Sequence, residues 1–357
     1  MFISALVGYA CSSENTDNPP PTPTPEAGTE TDTGTPGDKD SSTQTDGNVE
    51  TDSSVPSGNP IEGIAAPTAV TAFPTQYLEG PAWVGNSLYV SEYATPGNLI
   101  QFTPGAAAAD QVKLVRAAAA GTIILGNAPD PKTANAILSL EVVDGTGSGA
   151  ILRTPVATVP AAGTAITLTA TDAGGPPAFD APNDIVVNKD GVIYLSDPGY
   201  QNPGTTNNHI WRISPTGETF ETVATNRPNG IALSPDEKTL YVSYSDDPSR
   251  IDKFVLGTGG AIGAKSTFAS IVPGGNVADG LAVDTGGNVY CAVKNGVDVF
   301  KPDGSLWGHI PTVGTKQING LAFGGADKKT LYMTVNVGGG STGGLLQVNV
   351  KVAGLAQ

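Results

Sequence analysis

A strand motif that returns five times constrains this chain more than any other feature. The segments EGPAWVGNSLYVSE from Glu79, NDIVVNKDGVIYLSD from Asn183, NGIALSPDEKTLYVS from Asn229, DGLAVDTGGNVYCAV from Asp279 and NGLAFGGADKKTLYMT from Asn319 share one plan. Each opens on a polar residue, runs through a short alternating apolar strand and a turn, and ends in a strand carrying Tyr. Repeats of roughly 40–50 residues built from strands are the sequence mark of a β-propeller. Equivalent strands of a propeller converge on one axis. The openers Glu79, Asn183, Asn229, Asp279 and Asn319 should therefore face one another across a central channel, where gathered oxygen-rich side chains suggest a metal site.

The openers are spaced 104, 46, 50 and 40 residues apart. The long first interval holds two repeats, so a degenerate one begins near 120, in GTIILGNAPDPKTANAILSLEVVDG, with Ala120 at the opener position. Five clear blades and one blurred second blade make an all-β, six-bladed propeller over 65–352, followed by a short tail, 353–357. A strand near 67–73 is expected to pair with the C-terminal GGLLQVNV run and remove the exposed edges. Composition agrees: Gly 46 and Pro 29 make about a fifth of the 357 residues turn formers, which suits short strands and tight turns. No apolar period of 3.6 is sustained, and the Ala runs at 106–109 and 117–120 are too short for independent helices.

The net charge of −16 is unevenly placed. Residues 12–66 carry 11 Asp and Glu against Lys39 alone, a net of −10. With no basic stripe anywhere, nucleic acid is a poor partner. Residues 12–64 alternate Pro, Thr, Asp and Gly with hardly an aliphatic side chain, which leaves too little apolar surface to offset ordering entropy, so disorder is expected. Before it, MFISALVGYA ends at Cys11 and resembles the end of a bacterial lipoprotein signal peptide, 1–10, with Cys11 lipidated and 11–64 acting as a stalk. The run is far shorter than the ~20 residues a membrane-spanning helix needs. The expected location is the periplasmic face of a membrane or the cell surface, with the lipid as the only membrane contact. Cys291, in a repeat strand without His, reads as a buried apolar side chain.

LEGPAW (78–83), APNDIVVNKDGVIYLSDPGY (181–200), RPNGIALSPDEKTLYVS (227–243), ADGLAVDTGGNVY (278–290) and the closing VFKPDGSLWGHIPT and INGLAFGG occur in a characteristic order. In these the chain resembles the senescence-marker-protein/gluconolactonase family of six-bladed propellers, which includes regucalcin. That resemblance implies one divalent cation in the central channel and hydrolysis of lactones. It implies Glu79, Asn229 and Asp279 as metal ligands, Asp279 as general base, and Asn183 as a group reaching the metal or substrate. Ala181 and Val142 depart from the family's pattern, while Glu141 is kept in the divergent second blade. Substrate-binding roles are expected for Asn183, Glu141 and Tyr200.

The residues themselves constrain the chemistry. Two carboxylates and an amide oxygen are hard ligands suited to Ca²⁺, with Mg²⁺, Mn²⁺ or Zn²⁺ as alternatives. His209 and His309 are the only histidines, and neither is an opener. A His-rich zinc site and a His base are therefore disfavoured. The expected activity is metal-dependent hydrolysis of a sugar lactone or related small cyclic ester. A non-catalytic ligand-binding or scaffold propeller with a structural metal is the alternative, because the fold itself does not decide function. A third reading, phosphotriester or other ester hydrolysis, would use the same metal site.

Overall fold

The computed structural model describes residues 58–73, 77–169, 178–206, 208–224, 226–246, 248–271, 277–314, 316–337 and 343–355. Cys11, the signal-like run and most of the acidic tract lie outside the described residues. Six four-stranded antiparallel sheets form the molecule, each with its strands in chain order from the axis outward, save the one that closes the ring. The first blade runs Leu78–Val84, Ser87–Glu92, Asn98–Phe102, Val112–Ala117. The inner strands of the other five are Thr122–Pro129, Ile185–Val187, Pro228–Leu233, Leu281–Val283 and Gln317–Gly324. The sixth blade is completed by Thr68–Ala69, which pairs with Gly343–Asn349 as expected. The propeller and its closure are therefore as the repeats indicated.

The hairpin after an inner strand has one recurring cause. A polar side chain at the strand's end accepts backbone N–H groups of the turn. Asn188 Oδ1 takes those of Asp190 and Val192, and Asp284 Oδ1 takes those of Gly286 and Asn288. Such side-chain-to-backbone bonds favour turns over continued strand. The apolar positions pack between blades as clusters; in one, Leu138 and Leu140 of the second blade meet Ile193, Leu195 and Trp211 of the third. The tryptophans fill such seams. Trp83 stacks on Tyr332 of the sixth blade with centroids 5.7 Å apart, and Trp307 packs against the core shared by the fifth and sixth blades. Cys291 is fully buried and unpaired.

Packing reaches past 65–352 at both ends. Ile61 and Ile64 lie against the core shared by the fifth and sixth blades, and Lys351 N–H donates to Pro60 O at 2.9 Å. At the other end Leu355 N–H donates to Val283 O at 3.0 Å, and Leu355 lines the axial bore.

The second blade corrects the expected register. Leu125, not Ala120, stands at its opener position, in Leu125-Gly126-Asn127-Ala128, which matches Asn229-Gly230-Ile231-Ala232. The residue after the opener is thus Gly80, Gly126, Gly230, Gly280 and Gly320 in five blades and Asp184 in the third. These glycines are required by proximity. A Cβ on Gly230 would lie 2.4 Å from Asp279 O, and one on Gly280 2.5 Å from Asn319 O. Neighbouring inner strands therefore touch backbone to backbone at four of the six junctions around the axis.

Candidate active site

The axis holds a narrow bore of about 40 Å³ opening into a mouth of about 860 Å³. Glu79, Asn183, Asn229 and Asp279 line both, so these four openers form the floor of the mouth. Tyr200 lines the mouth and Asn319 the bore. The structure therefore brings together all of the sequence-expected metal- and substrate-binding residues except Glu141. Glu141 faces Arg116, which donates to its carboxylate between the first and second blades. It lines neither space.

The openers are aimed by a device that reading the sequence missed. In three of the six blades, Tyr-X-Ser in the strand beside the inner strand places a buried hydroxyl against the next blade. Ser91 Oγ donates to Leu125 O at 2.7 Å, Ser196 Oγ to Asn229 O at 2.5 Å and Ser243 Oγ to Asp279 O at 2.7 Å. Each bond fixes the backbone of an opener from the preceding blade. The recurring Tyr-X-Ser in YVS (89–91), YLS (194–196) and YVS (241–243) was the available signal.

Side-chain geometry at the floor is equally fixed. Tyr77 O–H donates to Glu79 Oε1 at 2.6 Å, with its ring 4.8 Å from that of Tyr93. Asn229 Nδ2 donates to Ser245 Oγ at 2.9 Å. Asp184, the side chain in the glycine ring, accepts the N–H of Ile185 on Oδ1 and of Ile231 on Oδ2, at 2.9 and 3.0 Å. It adds a third carboxylate to the axis that no repeat position forecast.

These carboxyls sit deep in protein, and Glu79 and Asp279 are part-exposed only to the channel. Burial pushes Glu79 up to about 7; the Tyr77 bond opposes that rise and the charge of Asp184 adds to it. Burial raises Asp184 to about 6 against its two backbone N–H partners. Asp279 is pushed well above the ordinary carboxylate range by burial, then by the charges of Glu79 and Asp184, while a bond from the Asn229 amide opposes the rise. Like charges gathered in a low-dielectric space disfavour joint ionisation, and a dication would relieve all three at once. No three Asp, Glu, His or Cys side chains among the described residues are grouped to cage a metal. Asp184 is engaged by backbone, so a cation here would be held by Glu79 and Asp279 with amide oxygen, and the set fits a hard ion.

The model of the SMP-30/Gluconolactonase/LRE-like region matches residues 79–336, from the floor carboxylate Glu79 to Asn336 of the mouth. The chain belongs to this family. A gluconolactonase of Zymomonas mobilis is 27% identical over 300 residues, 77% of this chain and 81% of that protein. The solved gluconolactonase of Xanthomonas campestris superposes with a TM-score of 0.60 at 27% identity, over 78% of this chain and 87% of that one. A calcium-binding regucalcin of Agrobacterium tumefaciens has the same fold, with a TM-score of 0.63 at 17% identity over 82% and 96% of the two chains.

Proposed function

We propose that this family member hydrolyses a small lactone at the floor of the mouth, with a divalent cation held by Glu79, Asn229 and Asp279. The observation that carries the reading is the meeting of two buried carboxylates and an amide at the base of one open pocket. The gluconolactonases of Zymomonas and Xanthomonas support the reaction class. A divalent cation bound there would polarise the lactone carbonyl and offset charge on the tetrahedral oxyanion. Ca²⁺ suits the oxygen donors best, with Mg²⁺, Mn²⁺ and Zn²⁺ as competitors.

The chain's own groups supply the rest. Asp279, ionised once its neighbours' charge is offset, takes a proton from water as the oxygen adds to the carbonyl carbon. The ring C–O bond then breaks, the proton passes to the departing alkoxide oxygen, and a hydroxy acid leaves. Tyr77 holds Glu79 through one carboxylate oxygen, leaving the other for the cation, and Asn183 and Tyr200 border the substrate. The same proposal keeps Cys11 as the lipid anchor of an exported protein, which metabolic labelling with palmitate would test.

Hydrolysis of D-glucono-1,5-lactone, followed by proton release after EDTA and after metal is restored, tests the reaction. Asp279→Asn should lower kcat by about 10²–10⁴-fold. Unchanged turnover in that variant would remove the base role. Metal binding by the wild type without turnover of any lactone would instead favour the non-catalytic ligand-binding propeller.

A further inference from the structure

The mouth above that floor carries one cationic side chain among its lining residues, Arg227. Arg227 precedes Pro228-Asn229, so the inner strand that places the floor amide also places this arginine at the rim. Its backbone N–H donates to Asp246 Oδ2 at 2.8 Å, which turns that carboxylate toward the main chain. Its guanidinium lies over the Tyr200 ring, 5.6 Å from the centroid, and among the described residues it makes no hydrogen bond or ion pair. An exposed guanidinium steadied by an aromatic face keeps its planar fork of donors available.

A second observation points to a ligand at the same place. Gln201 Oε1 and Asn336 Oδ1 are buried without a hydrogen-bond partner among the described residues, and both residues line the mouth. Buried polar atoms are seldom left unpaired in folded proteins. Two such residues beside Arg227 make the rim, like the floor, a place where a guest's polar groups would find partners.

We propose, resting on the lactonase reading, that Arg227 selects lactones bearing an acidic substituent remote from the ester, a carboxylate, phosphate or sulfonate. With the ester carbonyl held at the floor beside Asp279, a substituent remote from it reaches the rim, where Arg227 stands. There the guanidinium pairs with it in the fork geometry that oxyanions accept.

The test compares kcat/KM for D-glucono-1,5-lactone, its 6-phosphate and D-glucaro-1,4-lactone, using wild type, Arg227→Gln and Arg227→Lys. Wild type is expected to prefer at least one acidic lactone by tenfold or more. Arg227→Gln should cut the acidic-to-neutral ratio at least tenfold, through KM for the acidic substrate, and Arg227→Lys should restore part of it. The two acidic probes separate a phosphate subsite from a carboxylate one. Turnover of the neutral lactone with no acidic preference, or a ratio that Arg227→Gln leaves alone, overturns the proposal while the lactonase reading stands. No turnover of any of the three overturns both.

Discussion

Gly230→Ala adds one methyl group at the point where the fourth and fifth blades meet. Its Cβ would sit 2.4 Å from Asp279 O and 2.7 Å from Gly280 Cα and Leu281 N, all backbone atoms. Ordinary contact begins near 3.4 Å, so the inner strand of the fifth blade must retreat by roughly 1 Å, since no flexible side chain can yield instead. Overpacking of this kind costs about 1–3 kcal/mol, and the retreating strand carries Asp279 with it. A catalytic group misplaced by ~1 Å costs on the order of 100-fold in rate. Gly257→Ala is the control, because its Cβ would meet nothing nearer than 3.8 Å at an ordinary backbone conformation. Calorimetric Tm and lactone kcat/KM should both fall for Gly230→Ala and stay near wild type for Gly257→Ala. Equal behaviour of the two variants would refute the close-packed axis.

Tyr77→Phe keeps the ring against Tyr93 but removes the donor to Glu79; a hydrogen bond to a charged group is worth about 1.5–3 kcal/mol. Calorimetric titration with Ca²⁺ should show affinity lowered about tenfold or more, and an unaltered Kd would mean that Tyr77 does not position Glu79. Metal removal should make stability pH-dependent with a definite sign. Glu79 and Asp184, held up to about 7 and 6 in the folded state, bind protons that the unfolded chain has released, so the metal-free protein loses stability as pH rises from near 4 toward 7. Thermal melts in EDTA should therefore drop over that window and those in saturating Ca²⁺ should not; a flat EDTA series would contradict the buried-carboxylate reading.

Most of the architecture was legible because a propeller repeats its instructions. The inner strand and its turn return with the same polarity pattern, so blade number, closure and the convergence of Glu79, Asn183, Asn229 and Asp279 followed from spacing alone. The second blade was misregistered for a physical reason. Its opener is Leu125, an apolar residue that lines the mouth without contributing a ligand, so the polar opener that marks the other blades is absent. Gly126 was the surviving mark, because a Cβ there would meet Asn183 O at 2.7 Å. Glu141 misled in the opposite direction: a carboxylate in a family-like position is engaged by Arg116 in the seam between blades.

Asp184 shows what position in a repeat can conceal. Every other blade needs glycine where Asp184 stands, and a side chain is admitted there because its carboxylate replaces contact with hydrogen bonds, one to its own strand and one to Ile231 of the next. That second bond ties the third blade to the fourth two residues beyond Asn229, so Asp184 supports the floor amide from below. It also places negative charge beside Glu79 and Asp279, which raises both. A close-packed axis would tolerate a third carboxylate poorly if nothing positive were to share the space. The same residue that tightens the scaffold therefore raises the charge that protons, or the cation proposed for this floor, would have to offset.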